Sequence, residues 1–497
     1  MKRSVVWTFA ALLLTPLAAL HAADAPPAKP NVLFVIADDA SLHFGEAYGC
    51  RWVKTPNIDH LAKKGLAFDN AYTPTGKCAP SRSAILTGRN PWQLEDAANH
   101  QSYFPAKFMA FSEALRAGGI HVGGEGKIWG PGSAKTDDGK DRSFGFGAEG
   151  RSKRWKDFST FLKARPAGKP FFYWFGSNYP HRKYVKGSGL AAGKKLSDID
   201  RVPGFWPDND AVRGDMLDYA VEVEAFDAQV GELLKALDAS GEASNTLVIV
   251  TSDNGMPFPR SKGHNYDISN REPMVASWPG GIAKPGSRVT DFVSFIDFAP
   301  TFLELLGVDG AKAGMSPITG RSFAGLLRGE ADAARSFVIL GRERNDVRAR
   351  PGTPSGLGYP VRAIREGDLF YIHNFAPDRW PCGNPELGFA DTDGSPTKSW
   401  IEGLGEKDSF WQMAFGKRPA EELFDLAKDP DCLTNLATAP AHESKAAALR
   451  EKLFAELKKQ DDPRVLGKGD VFDQYLSPWK QDAAGEPKQK RKAKAAP

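Results

Sequence analysis

Asn31-Val-Leu-Phe-Val-Ile-Ala37, followed at once by Asp38-Asp39, decides the fold class of this chain. A continuous, partly β-branched apolar run of this length is typical of a strand buried on both faces, as in the middle of a parallel sheet. Residues 170–175 and 246–251 form two more such runs. Residues 215–237 lie between them and carry apolar side chains at helical spacing. Strands that alternate with helices predict an α/β fold in which helices sandwich a mostly parallel central sheet.

The pattern changes after about residue 345. Residues 361–365 and 368–373 predict two antiparallel strands joined by a Glu-Gly turn, and residues 443–459 predict a helix. We therefore predict a smaller α+β domain with an antiparallel sheet behind the α/β domain. The predicted ranges are residues 31–345 for the larger domain and 346–475 for the smaller one.

The first residues are typical of an exported protein. Basic Met1-Lys2-Arg3 precedes an apolar run and then small residues up to Ala23, which predicts a secretory signal peptide over residues 1–23. Residues 24–30 then form a linker. The apolar run is shorter than the ~20 residues of a membrane span, and no other spanning stretch follows, so we expect no stable membrane insertion. We predict a periplasmic or extracellular bacterial protein.

The composition is that of an ordinary globular protein, with 497 residues, 41% hydrophobic and 25% charged. The net charge is only +4, and part of it lies in residues 476–497, which we interpret as a basic, flexible tail. A nucleic-acid-binding protein would need a basic face within its fold as well. We therefore expect no nucleic-acid partner.

The chain has four cysteines, Cys50, Cys78, Cys382 and Cys432. No Cys-x-x-Cys spacing occurs, which excludes a zinc ribbon. Export permits disulfides, and Cys382–Cys432 is the candidate pair if Cys78 is reserved for chemistry.

Acidic and amide side chains follow two of the predicted buried strands. Asp38 and Asp39 end the first strand, and Asp253 and Asn254 follow the strand at residues 246–251. Ligands bind at the carboxyl ends of strands in open α/β sheets. Each pair taken alone is also explained by a helix cap or a tight turn. Because two strand ends carry such pairs, we favour one site for a hard divalent cation, Ca²⁺ with Mg²⁺ as the alternative, rather than zinc.

The most specific string is Cys78-Ala-Pro-Ser-Arg82, followed by Thr87-Gly-Arg89. It places Cys78 at the start of a helix, among Lys77 and Arg82, where an anionic group is favoured and a core cysteine is not. The string resembles the motif of the formylglycine-dependent sulfatases of the alkaline phosphatase superfamily. That resemblance implies a formylglycine-generating or anaerobic maturation enzyme as a partner, which would convert Cys78 to 3-oxoalanine. It also implies that residues 31–345 are the catalytic domain.

The resemblance further implies roles for individual residues, carried over by matching short motifs. The metal ligands would be Asp38, Asp39, Cys78, Asp253 and Asn254. The catalytic residues would be Cys78, Arg82 holding the modified side chain, Lys127 and Lys262 facing the sulfate, and His181 facing the leaving group.

Two stretches of sequence indicate which branch of the sulfatases the chain resembles. Asp253-Asn-Gly-Met-Pro-Phe-Pro259 and Pro180-His-Arg182 are similar to strings of the sulfamidases, the heparan N-sulfatases. This similarity implies a sulfated glycan substrate such as N-sulfoglucosamine, with O-sulfate on another polysaccharide as the alternative. The expected sugar-side contacts are His100, Arg182, His264 and Arg362.

One position departs from the family pattern. Many members carry Gly-Lys-x-His, whereas this chain has Gly126-Lys-Ile-Trp129, and an indole cannot act as a base. The role then falls to His181 or His264, or is dispensable. Two other readings remain open, a phosphate or phosphonate hydrolase on the same scaffold and an inactive glycan-binding protein.

Overall fold

The computed structural model describes residues 29–147, 155–330 and 335–479. The predicted signal peptide and almost all of the predicted linker and basic tail lie outside these residues. In the part of the chain that is described, no helix is long and apolar enough to cross a bilayer.

The strands are β1 Asn31–Ala37, β2 Leu66–Tyr72, β3 Ser102–Phe104, β4 His121–Gly126, β5 Gly132–Ala134, β6 Phe171–Gly176, β7 Thr246–Ser252, β8 Arg271–Ser277, β9 Ser287–Ser294, β10 Phe337–Arg342, β11 Val361–Glu366, β12 Leu369–Asn374 and β13 Glu421–Asp425. The helices are α1 Pro56–Lys64, α2 Cys78–Thr87, α3 Phe111–Ala117, α4 Phe158–Ala164, α5 Ser188–Ala191, α6 Asp210–Ala239, α7 Asp267–Asn270, α8 Phe298–Leu305, α9 Gly310–Ala313, α10 Ala324–Arg328, α11 Pro396–Leu404, α12 Ser409–Phe415, α13 Glu443–Lys459 and α14 Val471–Gln474.

The central sheet has the strand order β4-β6-β1-β7-β8-β2-β9. Strands β4, β6, β1 and β7 are parallel neighbours, β8 is antiparallel to both β7 and β2, and β9 is parallel to β2. Strand β1 lies inside the sheet, and Val35 pairs with Phe175 on one side and Val250 on the other. This position explains its unbroken apolar run and confirms the predicted mostly parallel sheet.

Helices cover both faces of this sheet. Alternate side chains of β1 enter different cores, with Phe34 and Ile36 in one and Leu33 and Val35 in the other. Helices α3 and α8 contribute to the first core, and α1 and α6 to the second. Phe34 packs against the rings of Trp174, Phe298 and Phe302, so its replacement by alanine should cost about 3–5 kcal/mol.

The smaller sheet is antiparallel, with the order β10-β11-β12-β13. Strands β11 and β12 pair around a turn at Gly367, where φ is +56°, and α13 packs on both strands. The predicted strand pair and helix are therefore present. The sheet also includes β10, which lies before the predicted boundary near residue 345.

All four cysteines are buried and free in the structure. The expected Cys382–Cys432 disulfide is therefore absent. Cys382 Sγ instead lies 3.1 Å from His264 Nε2 and 3.2 Å from the carbonyl oxygen of Ala414, so its partner is an imidazole rather than a second thiol.

Candidate active site

The two strand-end pairs meet because β1 and β7 are parallel neighbours, with Ala37 paired to Ser252. The backbone N–H of Asp39 donates to Asp253 Oδ1 at 3.1 Å. Asn254 Nδ2 donates to Asp39 Oδ1 at 2.9 Å. The backbone at Asp39 is left-handed, with φ of +74°, a conformation uncommon for a residue other than glycine.

Cys78 enters this cluster from the first residue of α2. Its Sγ and one carboxylate oxygen each from Asp38 and Asp253 all lie within 4.8 Å of one another, and all three residues are buried. Ser81 Oγ fixes the helix start by donating to the carbonyl oxygen of Asp253 at 2.6 Å. The predicted nucleophile therefore lies at the predicted metal ligands.

The donor set fits a hard cation. Asn254 is fully buried, and its Oδ1 has no hydrogen-bond partner among the described residues. Leaving such an acceptor unpaired costs about 1–3 kcal/mol, a penalty that a bound cation would remove. Carboxylate oxygens from Asp38 and Asp253 lie close together beside it. Oxygen donors of this kind suit Ca²⁺ or Mg²⁺.

Three basic side chains surround the carboxylates. Lys127 Nζ lies 2.7 Å from both oxygens of Asp38, Arg82 Nε lies 2.7 Å from Asp253 Oδ2, and Lys262 Nζ lies 2.5 Å from Asp39 Oδ2. Burial alone would raise the pKa of Asp38, but Lys127 and Arg82 hold that pKa well below its usual range. Each carboxylate therefore has a cationic partner.

Arg82 also donates to the carbonyl oxygens of Lys127 and Ala37. It thus connects the end of β1, the loop after β4 and helix α2, and it is fully buried. These contacts fix the position of α2, whose first residue is Cys78.

His100, expected at the sugar side, contacts Cys78 instead. Its Nε2 lies 3.3 Å from Cys78 Sγ, and its Nδ1 lies 3.3 Å from Asp346 Oδ1. Burial raises the pKa of the Cys78 thiol, but Lys127 and His100 outweigh it and lower the pKa to about 5. The structure thus places an imidazole beside the reactive atom.

Two loops hold His100 and Asp346 together. The His100 N–H donates to the carbonyl oxygen of Arg344 at 2.9 Å, and Asn99 Oδ1 accepts from the Arg344 N–H at 2.9 Å. Lys77 Nζ lies 3.4 Å from the other oxygen of Asp346. Sequence reasoning missed Asp346, because it lies 246 residues from His100 in an irregular loop and carries no motif.

His181 follows β6 and reaches the same edge of the sheet. Its Nε2 lies 3.8 Å from Asp39 Oδ2, and its side chain is 38% exposed. Its Nδ1 contacts the carbonyl oxygen of Arg182 at 2.6 Å. His181 is therefore the more open imidazole at the site, whereas His100 is buried. Asp393, also missed, lies 3.3 Å from Lys262 Nζ.

Trp129 lies on the flank of α2. Its Nε1 donates to Ser83 Oγ at 2.8 Å, and its ring packs against Phe104 and Phe144. The residue that replaces the family's histidine therefore supports the helix that begins with Cys78.

Arg182, Arg362 and His264 were expected to contact the sugar, but the structure places all three elsewhere. Both arginines pair with carboxylates within the fold. Arg182 forms a bidentate pair with Asp215 at 2.8 and 2.9 Å. Arg362 is fully buried and pairs with Asp462 at 2.6 Å and Glu343 at 2.9 Å. Because both guanidinium groups are used within the fold, their placement disagrees with a sugar contact.

The position of His264 also disagrees with the expected sugar contact. It is buried against Cys382 and stacks on Tyr266 at 6.0 Å between ring centroids. Burial and nearby arginines hold its pKa well below its usual value, so the ring is neutral. It therefore fits neither the sugar contact nor the missing base, and His100 occupies the place next to Cys78.

Comparisons with known proteins identify the family. The sulfatase family profile matches residues 30–308. An ulvan-active sulfatase of Formosa agariphila is 30% identical over 89% of this chain and 83% of that protein. The human N-sulphoglucosamine sulphohydrolase is 28% identical over 92% of this chain and 96% of that protein.

The fold agrees as well. A structure solved in work on glycosaminoglycan metabolism by Bacteroides thetaiotaomicron superposes with a TM-score of 0.64 at 19% identity, covering 91% of this chain and all of that one. The chain belongs to the sulfatase family, and its enzymatic class is that of the sulfuric ester hydrolases.

Proposed function

We propose that this enzyme removes sulfate from a sulfated glycan, with residue 78 as the nucleophile after its conversion to formylglycine. The observation that carries the proposal is the position of Cys78 Sγ, within 4.8 Å of carboxylate oxygens of Asp38 and Asp253 and 3.3 Å from His100. A cysteine retained only for packing would not need two carboxylates and an imidazole around it.

The cation would be held by Asp38, Asp39, Asp253, Asn254 and the side chain of residue 78. When bound, Ca²⁺ or Mg²⁺ would act as a Lewis acid on oxygen atoms at this point. The unpaired Asn254 Oδ1 and the adjacent carboxylate oxygens support this assignment.

The aldehyde supplies, as its hydrate, two hydroxyl groups on one carbon: one attacks sulfur and the other later expels sulfate. Lys127 and Lys262 face this point and would stabilise charge on the sulfuryl oxygens. His100 would hold a proton at residue 78, with its ring oriented by Asp346. His181, on the open side, would donate a proton to the leaving oxygen or nitrogen.

For the substrate we propose a sulfated amino sugar, N-sulfoglucosamine of heparan-type chains. The resemblance to the human N-sulphoglucosamine sulphohydrolase, which extends over 92% of this chain, supports this choice. An O-sulfate of another polysaccharide is the second candidate, because an ulvan-active sulfatase is 30% identical to this chain.

We also propose that the enzyme is exported and matured by a separate formylglycine-forming enzyme. Peptide mass mapping of active protein tests the central step. The peptide that contains residue 78 should show the aldehyde in place of the thiol, and Cys78→Ala should abolish turnover. An unmodified thiol in fully active protein would contradict the mechanism.

A panel of substrates tests the reaction class. Sulfated glycans should react faster than matched phosphate or phosphonate esters, and desulfated products should be detected by mass. Preference for a phosphonate ester would favour the hydrolase alternative, and inactivity of fully converted, metal-loaded protein would favour the glycan-binding alternative.

A further inference from the structure

A small cavity lies between the loop after Lys262 and the C-terminal sheet. It has a volume of about 20 Å³ and is lined by Asn265, Tyr266, Tyr359, Glu422 and neighbouring side chains. A single buried water needs about 10–15 Å³, so the cavity holds one small species.

Polar atoms of the lining residues are unpartnered among the described residues. Asn265 is 4% exposed, and neither its Nδ2 nor its Oδ1 has a partner. The Tyr359 hydroxyl and the Nε atoms of Arg342 and Arg418 are also unpaired. Buried polar groups in native proteins normally have partners, so four such side chains around one cavity indicate a missing ligand.

These free atoms are mostly hydrogen-bond donors. The two guanidinium Nε atoms and Asn265 Nδ2 can only donate, and the Tyr359 hydroxyl can donate as well. The lining carboxylate, Glu422, already accepts from Tyr266 Oη at 3.0 Å and from Asn374 Nδ2 at 2.9 Å. Among the free atoms only Asn265 Oδ1 and the Tyr359 hydroxyl oxygen can accept, so donors outnumber acceptors at the cavity, as a site for an anion requires.

The charge around the cavity is positive. Arg342 and Arg418 line it, and the charges of Arg260 and Arg350 also act on His264 in its wall. The nearby carboxylates are Glu422 in the lining and Asp391, which pairs with Arg350 and lies 3.4 Å from the guanidinium of Arg342. His264 is neutral and adds no charge.

We propose that this cavity binds a small monovalent anion of the halide type, chloride under ordinary conditions. The anion accepts hydrogen bonds from Asn265, Tyr359 and the two Nε atoms, and it offsets the excess of arginines. It thereby connects the loop that follows Lys262 to the C-terminal sheet, in parallel with the bonds that Gly263 O accepts from Arg342 and Asn345.

Bromide tests the site directly, because it scatters anomalously and replaces chloride in size and charge. Crystals of the full protein in bromide should show an anomalous peak in the cavity, within hydrogen-bond distance of Asn265 Nδ2 and Tyr359 Oη. The absence of a peak, with density that refines as water, would overturn the proposal.

Thermal unfolding tests it in solution. At constant ionic strength, exchanging gluconate for bromide or chloride should raise Tm along a saturating curve, as expected for a ligand of the native state. Sulfate, whose double charge costs more to bury, should give no saturating rise. A Tm independent of halide, or equal saturation by sulfate, would contradict a halide site.

Variants test whether the halide-dependent rise in Tm arises in this cavity. Asn265→Asp places a negative charge in the cavity and should remove the halide-dependent rise, and Tyr359→Phe should shift its midpoint to higher bromide. Tyr371→Phe is the matched control, because its buried hydroxyl lies 3.3 Å from His373 Nδ1, outside the cavity. Tyr371→Phe should keep the full halide-dependent rise in Tm. Loss of the rise in this variant would show that the rise does not arise in the cavity.

Discussion

The imidazole of His100 is in contact with the thiol of Cys78, with Nε2 at 3.3 Å from Sγ. The contact supplies from a different loop what the string Gly126-Lys-Ile-Trp129 lacks. His100 is only 5% exposed, and its Nδ1 lies 3.3 Å from Asp346 Oδ1, which favours an orientation of the ring toward residue 78. An imidazole is thus present beside residue 78 although Trp129 stands in the Gly-Lys-x-His string.

Removal of the His100 imidazole should slow turnover without loss of the bound metal or of the conversion of residue 78. We expect His100→Ala to lower kcat by about 10²–10⁴-fold, the usual contribution of a positioned acid or base. Conversion of residue 78 and bound metal, measured by mass spectrometry and elemental analysis, should remain. His60→Ala, at an exposed position, is the control. Unchanged kcat in fully converted His100→Ala would exclude the role.

Asp346 should act through His100. We expect Asp346→Asn to lower kcat in the wild-type background and to have little further effect in His100→Ala, because residues that act as a unit are not additive. Steady-state kinetics of the two single variants and the double variant measure this coupling. Independent, additive losses would mean that Asp346 acts mainly on Lys77.

The metal prediction concerns Asn254. Loss of an outer partner of a metal ligand costs about 10–100-fold in affinity, so loss of a direct ligand in Asn254→Ala should cost at least as much. Calorimetry with Ca²⁺ and Mg²⁺ measures it. Asn245→Ala, just before the opposite end of β7, is the matched control. Equal affinities in both variants, or stoichiometric zinc in the purified protein, would contradict the oxygen-donor site.

The loss of kcat on replacing His181 should depend on how strongly the leaving group needs a proton. We expect His181→Ala to lower kcat strongly on N-sulfated or alkyl-sulfated sugars, whose leaving atoms need a proton. The loss should be much smaller on an activated aryl sulfate, whose phenolate leaves unaided. Parallel kinetics on the two substrate types provide the comparison, and equal losses would remove His181 from the acid role.

Arg362 should affect stability rather than substrate affinity. Arg362→Ala would leave the buried carboxylates of Asp462 and Glu343 without their partner, at a cost of about 3–5 kcal/mol of unfolding free energy. Arg288→Ala removes an exposed pair with Asp69 and should cost about 0–1 kcal/mol. Denaturant unfolding gives both values. A raised KM with unchanged stability in Arg362→Ala would support the sugar contact instead.

The sequence predicted the central sheet and the meeting of Asp38 with Asp253 from local patterns. A buried strand reveals itself by its apolar run, and the residues after parallel strands must meet at one edge. The positions of Cys78 and His181 beside these carboxylates were implied only by the resemblance of short strings to a known family.

The contacts of long polar side chains could not be predicted in this way. Arg182, Arg362 and His264 were expected at the sugar side, yet the first two pair with carboxylates and the third is buried against a thiol. Loop packing decides such contacts, and a single sequence carries no periodic signal for it. Only the departure at Trp129 indicated that the base role falls to another residue or is dispensable.

Helix α2 is buried along its whole length, from Cys78 to Thr87. A processing enzyme that reads Cys78 to Arg82 needs those residues as an accessible peptide, and the folded protein does not offer them. The proposed conversion would therefore have to occur before this part of the chain folds. The fraction of active enzyme would then depend on the rate of conversion relative to the rate of folding, and a molecule that folds first would keep an unconverted thiol.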